Sequence, residues 1–471
     1  MAKKNTIQDK MFSDFQNKDL FDIANTYGKA YLETIMDRNV FPTEEAIENL
    51  THFDENMPIN STNSKIVLEQ LNRYGSPATV ANMGGRYFGF VCGSSVPVGI
   101  AAKALATFWD QSPTMHVLSP IGSKLESVVE SWFKKLFNLP KNTVAGFVSG
   151  TSMATFCGLA AARYRLLANQ NWSTNENGFF GAPKIRIVTG KHAHSTVLKA
   201  ISLLGFGNNI IEWVDVDDHG RIRADQIPEL DTSTLVILQA GNVNSGSFDD
   251  FESICKKAKE AGAWVHIDGA FGLWAGAVDK LKHLTKGIEN AKSWAVDGHK
   301  TLNTPYDSGI ILCADKEAIT NALHMSGSYI VTSERRDGMF YTPEMSRRAR
   351  VIELWAILKY LGKSGVDEMI YNMHTRAVQF AKAITKIEGF TVLNAIVFNQ
   401  VLVQCETDEL TTKTMKRIQE LRDCWVGGSV WKGKKVIRVS VCSWATTAED
   451  INISIASFKR ALNEITKEIS A

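Results

Sequence analysis

The chain's 471 residues exceed what one compact core holds, so two or three lobes are expected. With 52 basic against 50 acidic residues and no apolar run near the roughly 18–20 residues of a membrane span, neither nucleic acid nor a membrane is an expected partner. The first residues, MAKKNTIQDKMF, lack the apolar centre of a secretory signal, and seven scattered cysteines without a C-x-x-C pair fit reduced thiols in a cytoplasmic protein.

Residues 1–85 read as a helical arm, with amphipathic stretches such as LFDIANTYGKAYLETIMD. The following NMGGRYFGFVCGSSVPVG is rich in glycine and aromatic residues and suits a pocket wall. A helix is then predicted from an S-x-x-E capping box at Ser123 and Glu126. Leu125, Val128, Val129, Trp132, Phe133, Leu136 and Phe137 recur at helical spacing beyond it, up to Pro140. Short apolar runs follow: TVAGFVS, KIRIVTG, TLVILQA, AWVHIDGA, KSWAVDG and GIILCA, separated by helical stretches such as 152–168, 195–204 and 251–262. Such alternation predicts an α/β domain over 86–345, its mostly parallel sheet covered on both faces. Residues 346–471 open with a long helix, SRRARVIELWAILKYLGKSG, and continue as a smaller α+β domain.

In open α/β sheets ligands bind beyond the carboxyl ends of the strands, and four predicted strand ends carry unusual chemistry. FVSGTSMATF sets Thr151 and Ser152 at a helix start, where free amides and hydroxyls cradle a phosphate. For that tetrapeptide alone an ordinary N-cap and turn explains as much. TGKHAHSTVLKA places His194 at another helix start, suited to stacking on a flat ring or moving a proton. WVHIDGAFG ends a strand on Asp268, which needs a partner if buried. Gly269 and Ala270 after it are small enough for a planar ligand to come close. AVDGHKTLNTPYDSG puts Lys300 at a strand mouth beside His299, a place for a Schiff base. In that order, phosphate loop, ring-stacking histidine, aspartate and His-Lys describe one cofactor, pyridoxal phosphate.

Around these residues the chain resembles the group II pyridoxal-phosphate-dependent decarboxylases, which include aromatic L-amino-acid, glutamate and histidine decarboxylases. The resemblance runs from about residue 80 to about 455. It is carried by RYFGFV, SPIGSKLESVVESWF, SGTSMAT, HAHSTVLKA, HIDGAFG, DGHKTLNTPYDSG, SYIVTSERRDGMFYTPEMSRRARVIELW and VIRVSVCSWATTAEDI. It implies the fold type I transferase architecture: a large domain with a mostly parallel seven-stranded sheet, a small C-terminal α+β domain and an N-terminal helical arm. By the same resemblance Lys300 holds the cofactor, His299 lies near its phosphate, and Thr151, Ser152 and Asn242 bind that phosphate. His194 stacks on the ring, Asp268 pairs with its nitrogen and Ala270 packs beneath. Tyr329, in GSYIV, matches the tyrosine that protonates the substrate carbanion, and Arg438 is a candidate for the substrate carboxylate. A homodimer with its active sites at the interface is implied, the arm embracing the partner. Asn242 stands where the family often has threonine, Ser-Gly-Thr where it often has Gly-Gly-Thr, and Thr301 where it often has tryptophan. An apolar wall at Tyr87, Phe88, Phe90 and Val91 points to an aromatic or apolar side chain on the amino acid substrate, with loss of CO2 as the expected reaction.

Three other readings compete. An aminotransferase or carbon–carbon lyase would keep fold and cofactor, but has no need of the tyrosine-bearing loop at 329–342. A metal-dependent hydrolase built on His192, His194, His266 and Asp268 has suitable spacing, but leaves Lys300 and the phosphate cradle unexplained; no metal is expected. An inactive homologue acting as a binding partner would be expected to lack the lysine or the acid, and this chain has both.

Overall fold

The structure, a computed structural model, describes residues 6–323, 327 and 334–470. Seven strands form the central sheet: β1 (Val144–Val148), β2 (Arg186–Gly190), β3 (Ile211–Val214), β4 (Thr234–Gln239), β5 (Trp264–Asp268), β6 (Ser293–Asp297) and β7 (Gly309–Cys313). Their order is β1-β7-β6-β5-β4-β2-β3. The five from β6 to β3 run parallel, while β7 is antiparallel to both β6 and β1. Every residue of β1, β5, β6 and β7 is buried, which is why these strands read as unbroken apolar runs rather than alternating ones. Alternate residues still serve opposite faces. Trp294 and Val296 join the core on one side of β6, and Ala295 joins the core on the other.

Helices cover both faces. The helix Thr151–Ala168 is packed against β5, β6 and β7, and Ser195–Leu203 lies beside it. On the opposite face lie Phe251–Glu260, Pro120–Leu136 and a long helix, Val351–Ile384, kinked at Gly362. The capping expectation for Pro120–Leu136 needs correction. Its N-cap is Ser119, whose hydroxyl accepts the Gly122 amide, with Pro120 in the first helical position. Ser123 lies inside the helix and donates to the Arg336 carbonyl at 2.6 Å. Glu126, fully buried, is paired with Arg336 at 2.9 Å and Arg347 at 2.7 Å.

A second sheet, antiparallel throughout, is built from β8 (Thr391–Val392), β9 (Gln400–Gln404), β10 (Gly427–Trp431) and β11 (Lys434–Ser440), in the order β10-β11-β9-β8. Phe398, just before β9, stacks on Phe271 of the large sheet's exit loops at 6.1 Å, joining the two sheets through one core. The amino-terminal helices Ile7–Asn17 and Asp19–Thr34 contain no buried residue. Among the described residues no helix is long and apolar enough to cross a membrane.

Candidate active site

Parallel strands deliver their carboxyl ends to one edge of the sheet, and there β1, β2, β4, β5 and β6 open around a cavity of about 330 Å3. Ser149, Gly150, Thr151 and Ser152 line it from the start of the first helix, His194 from the start of the second. Asp268 and Ala270 contribute from the end of β5, His299 and Lys300 from the end of β6. The sheet therefore gathers residues 149, 194, 268 and 300 into one space.

The exit of β6 is tightly built. Gly298 has no room for a side chain, since a Cβ there would sit 2.6 Å from Ser308 Oγ. His299 Nδ1 accepts the Ser308 amide at 3.1 Å, and its ring stacks on Tyr306 at 4.5 Å. Lys300 Nζ stands 3.1 Å from Asp297 Oδ2. Burial opposes the charge of Lys300, but Asp297 and then Asp268 outweigh it and hold the ammonium above the usual lysine range.

His194 is the N-cap of its helix. Its Nδ1 faces the Thr196 amide at 3.3 Å and the Thr196 hydroxyl at 2.8 Å, which leaves Nε2 to carry the proton. Burial pushes its pKa down, against the opposing influence of Asp268, and so favours the neutral ring. Asp268 is 6% exposed and accepts the Ala270 amide at 3.3 Å. Burial pushes its pKa up, against the opposing influence of His194 and Lys300. A buried carboxylate with so little hydrogen bonding fits a cationic N–H brought by a ligand.

These residues fit pyridoxal phosphate. The acid suits a ring nitrogen and the lysine an aldehyde. The amino end of an 18-residue helix, with exposed Ser152, suits the phosphate. Gly150 keeps the cradle open: a Cβ there would crowd His299 Cε1 at 3.3 Å.

Two expectations are corrected, and a third takes a more specific form. Thr151 lines the cavity, and its amide and hydroxyl both donate to Asp297, at 2.7 and 2.9 Å. Asn242 organises its own loop: its side-chain oxygen accepts the amides of Asn244 and Ser245, and it does not line the cavity. Phe88 is fully buried in the core against Phe380, whereas Phe90, two residues on, is 65% exposed. Phe90 lines an adjoining outer cavity of about 590 Å3 with His192, Tyr306 and Arg438. Burial lowers the Arg438 pKa; one of its terminal nitrogens donates to the Val243 carbonyl, while its buried Nε has no partner among the described residues. Tyr329 lies outside the described residues. No group of three His, Cys, Asp or Glu among the described residues is placed to hold a metal ion.

The residue that sequence reasoning passed over is Asp297, the acid of D-G-H-K, which contacts Thr151 and Lys300 together. Its spacing to Lys300 was visible, but its link to Thr151 was not. Gln239, at the end of β4, also lines the cavity and donates to the His192 carbonyl at 2.7 Å.

The pyridoxal-dependent decarboxylase conserved domain matches residues 48–405, and the chain belongs to that family. The aromatic-L-amino-acid decarboxylase of Bacillus atrophaeus is 26% identical over 90% of this chain and 91% of its own. The 3,4-dihydroxyphenylacetaldehyde synthase of Drosophila melanogaster is 23% identical over 95% and 92%. Among solved structures, Oryza sativa TDC with PLP and tryptamine superimposes with a TM-score of 0.87 at 19% identity, covering 96% of this chain and 98% of that one. The fold is therefore fold type I, the cofactor pyridoxal phosphate, and the enzyme a carboxy-lyase that removes CO2 from an L-amino acid.

Proposed function

We propose that the substrate is an aromatic L-amino acid, released as its amine, and that two copies of the chain form the working unit in the cytoplasm. The observation that carries the reaction is the convergence of Lys300, Asp268 and His194 on one cavity. For the substrate, the support is the outer cavity, walled by Phe90, Val91, Val430 and Tyr306, with no carboxylate in its lining among the described residues. The aromatic-L-amino-acid decarboxylase relative agrees with it. For the dimer, the support is the apolar surface left open on the arm and beyond it, with Phe15 72% exposed and Ile59 fully so. All seven cysteines are free thiols, in keeping with a reducing compartment.

When bound, pyridoxal phosphate supplies the sink for the electrons left by departing CO2. Lys300 Nζ is the group that would bind its aldehyde, and Asp268 would hold the proton at its ring nitrogen. His194 and Ala270 would confine the ring, Ser152 and the helix amides the phosphate. Arg438 would orient the substrate carboxylate, and Tyr329 would hand a proton to the α-carbon.

A pooled assay tests the reading. Aromatic, acidic, diamino and sulfinic L-amino acids are supplied together and products are read by mass spectrometry. Amines from aromatic substrates are expected; a dominant product from another class would remove the substrate proposal. Tyr329→Phe is expected to divert product from amine to aldehyde in the presence of dioxygen, which takes the two electrons while the nitrogen leaves as ammonia, and an unchanged amine yield would take Tyr329 out of the proton transfer.

A further inference from the structure

We infer that Asp297 is the positioning residue that couples the phosphate end of the site to its lysine, one buried carboxylate fixing the first amide of the Thr151 helix and serving as counter-ion to Lys300. Asp297 is 1% exposed. Its backbone is locked, the amide donating to the Ala270 carbonyl at 2.9 Å and the carbonyl accepting Trp274 Nε1 at 2.8 Å. Its carboxylate takes the Thr151 amide on Oδ1, and the Thr151 hydroxyl and Lys300 Nζ on Oδ2. His299 Nε2 is 3.6 Å away. Asp268 from β5 and His194 from a helix start share the inner cavity with Lys300, and Tyr306 and Arg438 share the outer one with it. The buried Cys442 acts on it from the protein side. Among the described residues none of these makes a direct bond to Lys300 Nζ.

The consequence concerns cofactor capture. Capture joins the Lys300 nitrogen to the aldehyde carbon with loss of water, and requires Nζ without its extra proton, which passes to solvent. A carboxylate held 3.1 Å from Nζ keeps that proton in place, so capture is tied to pH through Asp297. Asparagine at 297 keeps an acceptor for the Thr151 amide and removes the charge.

The test follows the visible absorbance of the bound cofactor after cofactor-free full-length protein is mixed with pyridoxal phosphate over a range of pH. In Asp297→Asn the midpoint of capture against pH is expected to fall by at least about one unit, making capture near neutrality about tenfold faster. Thr151→Ala, which keeps the charge, should weaken cofactor retention and leave the midpoint where it was. Asp297→Ser gives the same readout should Asp297→Asn fail to fold. A midpoint unmoved by loss of the charge overturns the inference, as does a variant that loses retention alone. The inference rests on Lys300 as the aldehyde-binding group, but its readout is capture rather than turnover. A protein that showed this pH dependence and released no CO2 would sink the reaction and leave Asp297 in place.

Discussion

The inner and outer cavities share Lys300, His194, Val91 and Val243, yet they are built differently. In the inner one the polar groups hold one another: Asp297 takes Thr151 and Lys300, His194 takes Thr196, and His299 takes Ser308. In the outer one His192 Nδ1 and Arg438 Nε are buried with no partner among the described residues, while Phe90 and Tyr306 remain 65% and 43% exposed. A site whose groups are already oriented is preorganised for one fixed ligand, here the cofactor. A site with unanswered donors and open rings takes its definition from what enters it, which suits the substrate and the second subunit proposed here. Chemistry belongs to the first region and selectivity to the second.

Variants can break that division, and the largest effects belong to the inner cavity. Lys300→Ala should remove turnover by about 10³-fold or more and abolish the visible absorbance of bound cofactor. Normal turnover by this variant would undo the assignment of the site. Asp268→Asn should lower kcat by about 10²-fold or more, because a neutral amide cannot balance a protonated ring nitrogen. This position also carries a pH signature. The folded-state pKa of Asp268 is raised by burial. Its contribution to stability is therefore complete below the ordinary carboxylate range and fades as pH rises through the raised value. A bound ring N–H reverses that loss. The gain in Tm on adding pyridoxal phosphate should accordingly grow as pH rises above the ordinary carboxylate range. In Asp268→Asn the pH dependence of the gain should shrink to the part that Lys300 and Asp297 contribute; a pH dependence unchanged from wild type would show that Asp268 does not meet the ring nitrogen.

How much of this was legible beforehand follows the reach of each interaction. Strands β1, β2 and β4 to β7 announced themselves as apolar runs that end in chemically distinctive residues, because a buried parallel strand must be apolar on both faces. The edge strand β3 did not, since Glu212 and Trp213 are partly open to solvent and its four residues lead into an acidic loop. The capping box at Ser123 failed because Glu126 is claimed by Arg336 and Arg347, 210 and 221 residues away, and no local pattern records such a partner. Asn242 was placed by family resemblance; its side chain instead bonds two and three residues onward, as a turn asparagine does. Lys300, Asp268 and His194 could be found because each follows its own strand. Asp297 could be seen but not weighed, because its meaning depends on Thr151, 146 residues earlier.

The smallest expected effect separates two phenylalanines that the sequence places together. Phe88 and Phe90 both sit in RYFGFV and were both expected on the pocket wall. Strand-like alternation would put residues two apart on the same side, but Phe90 has a φ of 54°, which turns the chain and swings its ring outward. Phe88→Ala should therefore leave a cavity against Phe380 and cost about 3–5 kcal/mol of stability, seen as a lowered Tm. Phe90→Ala should leave Tm close to wild type and raise KM for aromatic substrates by about tenfold, with kcat little changed, as removal of apolar contact at the substrate end would do. If Phe90→Ala lowered Tm and spared KM, its ring would belong to the fold or to a subunit contact, and the outer cavity would lose its aromatic wall. If both variants altered KM alike, the division between inner and outer cavity would have to be drawn elsewhere, with the Tyr87–Val91 segment acting as one unit.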